Sequence, residues 1–177
     1  MQNVLIRHTA ELEAADLAAV RTLCNAAFGA DFTDSDYEHA LGGVHALRFD
    51  GDRLVAHAAL VGRRILHGGR ALRTGYVEGV AVRADRRRRG HGDAVMAELE
   101  RVIRFAYHLG ALGASPLGSH LYAARGWQLW QGPSSALTPD GIRRTANHDG
   151  AVYVLPVSVP LDLTAELTCD YRPAAPW

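Results

Sequence analysis

The sequence predicts an α/β (α+β) fold in which a mixed sheet carries helices on its faces. Apolar residues recur at helical spacing over residues 11–28 and again over 92–109. Three other stretches, 44–49, 53–61 and 71–82, are apolar runs bounded by turn residues, as strands are. Taken with the shorter segments, these runs give the order β-α-α-β-β-β-α-β-α-β-β, which is typical of a sheet with packed helices.

Composition is that of an ordinary globular domain. The 177 residues are 48% hydrophobic and 21% charged, with a formal net charge of zero. We therefore expect one domain over residues 1–177, and charge balance gives no reason to expect binding to nucleic acid or to a membrane. The charge is nevertheless uneven: five arginines lie within Arg83–Arg89, and acidic residues cluster within Asp31–Glu38.

Turn and cap residues set the expected boundaries in the first half. Residues 3–8 form a first strand, and Gly29 ends the helix over 11–28. Thr33 or Asp34 can cap a short helix over 35–41. The turns are expected at Gly42-Gly43, Asp50-Gly51 and His67-Gly68-Gly69.

In the second half of the chain, the predicted helices and strands alternate over shorter stretches of sequence. After the helix over 92–109 come a short strand near Leu112 and a helix over 116–125. Residues 127–131 and 151–157 are predicted strands, and we expect the polar segment between them to be a loop.

The cysteines and the N-terminus indicate a cytoplasmic protein. Cys24 and Cys169 form no CxxC pair or Cys/His metal spacing, which favours two buried, reduced thiols. The first residues lack the features of a signal peptide, and no run of about 18 apolar residues predicts a membrane span. The histidines, His45 and His57 among them, show no HExxH pattern, so we expect structural or exposed side chains and no metal.

Residues 77–92, VEGVAVRADRRRRGHG, predict an anion site. An apolar strand leads into Arg87-x-x-Gly90-x-Gly92, and a helix follows. Glycines let a ligand approach the backbone, the first turn of a helix offers free N–H groups, and arginine suits phosphate. The alternatives are a solvated basic patch or a nucleic-acid contact, but a neutral protein without interleaved aromatic residues favours a small phosphorylated ligand.

This layout, together with LYAARGW at 121–127, resembles the GCN5-related N-acetyltransferase (GNAT) superfamily. Further segments resemble the aminoglycoside 2'-N-acetyltransferases, from about residue 28 to residue 177: ADFTDSDYEHALGG, HALRF, AHAAL, LRTGYVEGVAVRAD and TAELTCDYR. The resemblance implies a mostly antiparallel central sheet with a splayed strand at the acetyl-CoA site. It also implies a homodimer that acetylates the 2'-amine of aminoglycoside antibiotics and so confers resistance.

The resemblance assigns the cofactor contacts to one stretch of chain. Backbone groups of Val80, Ala81 and Val82 would bind the pantetheine arm. The phosphates would lie on the turn and the first residues of the next helix, which are Arg87, Arg88, Arg89, Gly90, His91 and Gly92.

Three residues would carry the chemistry. Glu78 is a carboxylate inside an apolar strand, and it would accept the amine proton through water or bind the cationic substrate. Alternatively, Glu78 has a structural role at the strand end, paired with an arginine such as Arg73. The peptide N–H of Val80 would stabilise the oxyanion. Tyr122 would protonate the departing thiolate; alternatively, it is an aromatic residue that only packs in the core.

An aminoglycoside is a polycation, so its site should be acidic. The resemblance assigns it to Asp31, Asp36, Glu78, Gly79, Gly113, Asn147, His148 and the α-carboxylate of Trp177. Asp36 and Asp34 could instead serve as helix-cap charges. Asn147-His148 stands where the family carries an acidic pair, and the family's acidic residue near the C-terminus is missing, so we expect a substrate range that differs from that of acid-rich members.

Three other functions stay open on sequence alone. The first is a related acetyltransferase that acts on another cationic amine or on protein lysines. The second is a non-catalytic acetyl-CoA-binding module, and the third is an RNA-binding domain that uses the arginine run.

Overall fold

The computed structural model describes residues 4–177. Its helices are α1 (Ala14–Phe28), α2 (Asp34–His39), α3 (His91–Ala106) and α4 (Ser119–Ala124). Its strands are β1 (Leu5–His8), β2 (Val44–Asp50), β3 (Arg53–His67), β4 (Arg70–Val82), β5 (Leu109–Gly113), β6 (Gln128–Leu129), β7 (Ser134–Thr138), β8 (Gly141–Arg144), β9 (Val152–Pro156) and β10 (Leu167–Cys169). Short 3-10 turns cover Thr9–Glu11, Gly29–Asp31, Ala84–Arg86 and Ala146–His148.

The chain divides into two compact units, and the long strands β3 and β4 run through both. The first unit comprises the described residues up to Val61 and Val77–Val102. Its strands lie in the order β1-β2-β3-β4, with β1–β2 and β2–β3 antiparallel. Apolar side chains of α1 pack with those of the sheet in a core built on Val20, Leu23, Cys24, Leu47, Leu54 and Ala81.

The second unit comprises Gly62–Tyr76 and Ile103–Trp177. Its strands lie in the order β6-β9-β5-β4-β3-β10-β7-β8. β4 runs parallel to β5, and β10 runs parallel to β7, while β5–β9, β6–β9, β7–β8 and β10–β3 are antiparallel. The β4–β5 ladder covers only residues 74–76 and 109–111, and both strands continue beyond it.

This architecture confirms the predicted class, a mixed and mostly antiparallel sheet with helices. The Asp50-Gly51 and Gly68-Gly69 turns are present, and Gly29 ends α1 in a left-handed conformation. The first strand is observed from Leu5; Asn3 lies outside the described residues. None of the helices in residues 4–177 has both the length and the apolar character needed to cross a bilayer.

The prediction was wrong between residues 131 and 151. The expected polar loop contains the hairpin β7–β8, which turns at Pro139-Asp140, and β8 is exposed along its whole length. A strand that is exposed to solvent on both faces shows no alternation of apolar and polar residues, so its sequence resembles that of a loop. The strand β10 was also missed, and α4 is shorter than the predicted 116–125.

Candidate active site

The second half of β4 carries a conformational irregularity at Gly79. Its φ is +56°, a left-handed value inside a strand that runs from Arg70 to Val82. Only glycine adopts this region without a steric cost. Gly79 lies between Glu78 and Val80, so the irregularity falls within the segment assigned to the chemistry. All three residues are half-buried, and Ala81 is buried.

The carbonyl of Gly79 is held from the protein core. His57 Nδ1 lies 2.8 Å from Gly79 O, and the Cys24 Sγ lies 3.8 Å from the same oxygen. Burial raises the pKa of the Cys24 thiol to about 12, and burial likewise raises that of Cys169 to about 11. Both thiols are therefore poor nucleophiles at neutral pH.

The turn after β4 has the features of an anion site. Arg88 and Gly90 both have positive φ, and the first α-helical bond of α3 runs from Ala94 N–H to Gly90 O. The N–H groups of the first turn of α3 therefore have no acceptor within the helix. A side-chain carbon on Gly90 would meet nothing within 4 Å, which shows that the turn is open to a ligand.

The arginines of this turn differ in their roles. Arg86 pairs with Asp50 at 3.1 Å, and Arg83 pairs with Asp85 at 3.1 Å, so these two support the turn. Arg87 is exposed and donates from Nε to Val82 O at 3.3 Å. Arg88 and Arg89 are exposed as well, whereas His91 and Gly92 are half-buried.

A groove of about 380 Å³ adjoins the same turn. It lies between α1 and the end of β4 and is lined by Leu23, Ala26, Ala27, Val82, Arg83, Ala84 and Asp85. Its walls are mostly apolar, and it begins at Val82, the last of the three residues predicted to bind a pantetheine arm.

The predicted acidic residues lie around α2. Asp31 is exposed at the end of a 3-10 turn. Asp36 Oδ2 accepts hydrogen bonds from Thr33 N–H at 2.8 Å and from Thr33 Oγ1 at 2.7 Å, which completes a capping box. Asp34 pairs with Arg21 at 2.5 Å. Asp36 therefore has the capping role that its position also predicted, and one of its oxygens is engaged in it.

Tyr122 is a buried residue of α4 in the second unit, 6% exposed. Burial raises its pKa to about 12, so the phenol keeps its proton at neutral pH. The aromatic rings of Trp127 and Tyr153 lie 6.3 and 6.0 Å from its own ring, centroid to centroid. Gly118 makes room for it, since a Cβ there would stand 3.0 Å from Tyr122 Cε2.

The structure brings Gly113 and Trp177 together, as their joint assignment to the substrate site requires. A Cβ on Gly113 would stand 3.3 Å from the carbonyl carbon of Trp177. The indole of Trp177 is buried and donates from Nε1 to Thr145 Oγ1 at 2.9 Å. Cys169 Sγ donates to Pro176 O at 3.3 Å, so the segment is docked.

Asn147 and His148 lie in the 3-10 turn that follows Thr145. Asn147 is exposed and His148 is half-buried. Burial lowers the pKa of His148, the leading effect, and the nearby Asp149 acts in the opposite direction. Asp149 itself pairs with Arg144 and accepts from Ser134 Oγ at 2.9 Å, so it serves the local structure. Burial therefore favours the neutral form of His148.

Sequence reasoning missed two residues of this site. His45 and His57 were expected to be structural or exposed; both are fully buried, and His57 contacts the irregularity at Gly79. The available signal was weak, since a histidine inside an apolar strand has many explanations. Among residues 4–177, no cluster of three or more His, Cys, Asp or Glu side chains could hold a metal ion.

The chain is similar in sequence and in fold to known proteins. Residues 8–130 match the family model described as Acetyltransferase (GNAT) domain. A curated protein named aminoglycoside 2'-N-acetyltransferase, from Mycolicibacterium fortuitum, is 49% identical, over 96% of this chain and 89% of its own length.

Solved structures share the fold at low identity. A GNAT family acetyltransferase from Brucella melitensis, solved in complex with acetyl-CoA, is 16% identical with a TM-score of 0.62, over 98% of this chain and 99% of its own. A GCN5-related N-acetyltransferase from Kribbella flavida is 22% identical with a TM-score of 0.59, over 75% of this chain. The chain covers only 34% of that larger protein.

Proposed function

The chain belongs to the GNAT acetyltransferases, within the family of the aminoglycoside 2'-N-acetyltransferases, and we propose that it transfers an acetyl group from acetyl-CoA to the 2'-amine of an aminoglycoside. The observation that carries the proposal is the left-handed Gly79 between Glu78 and Val80, in the strand that leads to the open anion turn. The 49% identity with a protein of that name supports the choice of acceptor.

The residues present suit acetyl-CoA. The open turn at Gly90, the N–H groups at the start of α3 and the exposed Arg87–Arg89 match a pyrophosphate. The backbone of Val80–Val82 and the apolar groove beside Val82 match a pantetheine arm. Acetyl-CoA supplies the acetyl group as a thioester.

Glu78 has the role of proton acceptor or cationic anchor for the amine. As the neutral amine attacks, a C–N bond forms, the C–S bond breaks, and the nitrogen loses one proton toward Glu78 through water. The Val80 N–H donates to the oxygen on which negative charge develops. Tyr122 gives its proton to the sulfur that leaves, a role consistent with a phenol that stays protonated.

Direct transfer is favoured over an acetyl-cysteine. Both thiols are buried, and burial raises both pKa values, so neither is activated as a nucleophile. Asp31 and Asp36 would bind the cationic rings, with Gly113, Asn147, His148 and the main chain of Trp177 completing the site. N-acetylation removes a positive charge from the drug and weakens its binding to ribosomal RNA, so resistance is the expected phenotype.

The test is CoA release with two antibiotics that differ at one position. Kanamycin B carries a 2'-amine, and kanamycin A carries a 2'-hydroxyl there. Release with kanamycin B alone supports the proposal. Equal release with both places the acetyl elsewhere, and release with neither contradicts the aminoglycoside acceptor and returns the other cationic amines or an acetyl-CoA-binding module to consideration.

Two finer assignments rest on the family resemblance. We propose a homodimer, which light scattering after size-exclusion chromatography would test; a monomeric mass at micromolar concentration contradicts it. We also propose a cytoplasmic location, where acetyl-CoA and the ribosome are both found. Cell fractionation tests it.

A further inference from the structure

A run of hydrogen bonds leads through the core of the first unit to Gly79. Gly42 N–H donates to Thr9 Oγ1 at 2.9 Å, and Thr9 Oγ1 lies 2.8 Å from His45 Nε2. His45 Nδ1 lies 2.9 Å from His57 Nε2, and His57 Nδ1 lies 2.8 Å from Gly79 O. We call Thr9, His45 and His57 the histidine relay.

The strand register explains why the two histidines meet. Leu47 of β2 stands opposite His57 of β3, so His45, two residues before Leu47, is the diagonal neighbour of His57 on the same face. Both side chains are fully buried, and their ring centroids lie 5.2 Å apart. Burial is the main cause that lowers both pKa values, to about 4 for His45 and about 3 for His57, so both rings are neutral at pH 7.

Neutrality leaves one arrangement of protons. A carbonyl oxygen only accepts, so the proton of His57 is on Nδ1, and its Nε2 must accept. His45 therefore donates from Nδ1, and its Nε2 must accept. The Thr9 hydroxyl lies 3.2 Å from Gly43 O and 2.8 Å from His45 Nε2, so its proton goes to the nearer acceptor, His45. Every donor in the relay then points toward Gly79, and each bond polarises the next in the same direction.

The carbonyl of Gly79 and the N–H of Val80 belong to one peptide group. The described residues contain no cis peptide bond, so this group is planar and trans, and its C=O and N–H point in opposite directions. With the carbonyl held on His57 in the core, the N–H of Val80 must point away from the core. A hydrogen bond on the oxygen also draws electron density from the nitrogen, which makes the N–H a stronger donor.

We propose that His57, supported by His45 and Thr9, is a positioning residue that orients and polarises the Gly79–Val80 peptide as the oxyanion donor. This inference rests on the proposed function, since it needs the Val80 N–H to face a thioester carbonyl. His57 touches no reacting atom; it acts through the peptide.

Two variants of His57 separate positioning from packing. His57→Leu keeps the bulk but removes the donor, and His57→Asn places an amide N–H near the position of Nδ1. Loss of an oxyanion donor costs roughly 10²–10³ in kcat. Loss of its alignment should cost less, so we expect His57→Leu to lower kcat about tenfold with both KM values nearly unchanged, and His57→Asn to restore most of it. A His57→Leu protein that is folded and keeps kcat within twofold of wild type overturns the proposal.

Nuclear magnetic resonance tests the same point without catalysis. In ¹⁵N-labelled wild type at pH 7, His57 and His45 should both be the neutral tautomer protonated at Nδ1. The Val80 amide proton should move upfield in His57→Leu and return in His57→Asn. A His57 protonated at Nε2, or a Val80 amide that does not respond, overturns the proposal, and the wild-type result decides it even where His57→Leu fails to fold.

The wild-type assay with kanamycin B separates this proposal from the proposed function. No turnover by wild type counts against the acceptor and leaves the tautomers and the Val80 amide to decide the role of His57. Wild-type turnover with an unaffected His57→Leu counts against the relay alone.

Discussion

The main chain of Trp177 lies against Gly113, with its carbonyl carbon 3.3 Å from where a Cβ on Gly113 would stand. The Tyr76 hydroxyl lies 3.5 Å from the same point. A Cβ at position 113 therefore requires the main chain of Trp177 to shift by a few tenths of an ångström, whereas Tyr76 is at ordinary contact distance. Since the indole of Trp177 is buried and bonded to Thr145, the segment cannot move without disturbing that anchor.

We predict that Gly113→Ala raises the KM for the aminoglycoside several-fold, because it shifts Trp177 by a few tenths of an ångström. The KM for acetyl-CoA should not change. Steady-state kinetics in both substrates provide the measurement. Gly62→Ala is the matched control, since its new Cβ would meet only Tyr107 Oη at 3.5 Å and Tyr107 Cε1 at 3.9 Å. Equal effects of the two substitutions on the aminoglycoside KM would exclude a role for the Gly113–Trp177 contact.

Tyr122→Phe should lower kcat by about 10² or more, as expected for loss of a general acid. The ring and its packing remain, so the melting temperature should change little. Tyr153→Phe serves as the control because its ring packs against that of Tyr122, 6.0 Å away between centroids. The general-acid role fails if both variants turn over at the same rate.

Gly79→Ala should reduce both stability and kcat. A Cβ there would meet His57 Cε1 at 3.5 Å, an ordinary contact, so the cost lies in the backbone, about 1–2 kcal/mol for a left-handed alanine. Gly68→Ala offers a control with nearly the same φ, +55°, in the turn at the other end of β4. Urea unfolding should show similar losses of stability for both variants, while only Gly79→Ala lowers kcat. A Gly79→Ala enzyme with full kcat would contradict the importance of this conformation.

The buried histidines predict an acid-sensitive fold. Their folded pKa values, about 4 and about 3, lie below the ordinary value of 6.5, so the unfolded chain binds more protons between these limits. The stability from keeping them neutral is complete above pH 6.5 and is lost as the pH falls toward 4 and then 3.

Urea unfolding between pH 7 and pH 4 measures this loss. His57→Leu removes one of the two groups, so its free energy of unfolding should fall less steeply with decreasing pH than that of wild type. Parallel curves for the two proteins would show that His57 is not held neutral by the fold.

The sequence predicted the parts of the structure that depend on local signals. Asp50-Gly51 marked a hairpin, Gly29 marked a helix end, and Gly90 marked the open turn, since each reflects backbone geometry that glycine favours. Asp140-Gly141 carried the same signal, but β8, the strand that follows, is exposed along its whole length and gave no strand pattern.

The histidine relay could not be predicted in the same way. His57 contacts Gly79, 22 residues later in the sequence, and His45, 12 residues earlier. These contacts depend on strand register rather than on any local motif. The left-handed conformation of Gly79 likewise could not be predicted from the sequence VEGVAV. A glycine in a strand could mark a bulge, the close approach of a ligand or another backbone segment, or neither. The roles of the substrate residues came from resemblance, and they stay predictions.

The position of the acetyl group on the product tests 2'-N-acetylation most directly. Kanamycin B should be incubated with acetyl-CoA and the enzyme, and the purified product examined by two-dimensional NMR. We expect a single acetamide on the 2'-nitrogen, seen as a downfield shift of the 2'-proton. An acetyl group on any other nitrogen, or on a hydroxyl, would contradict it.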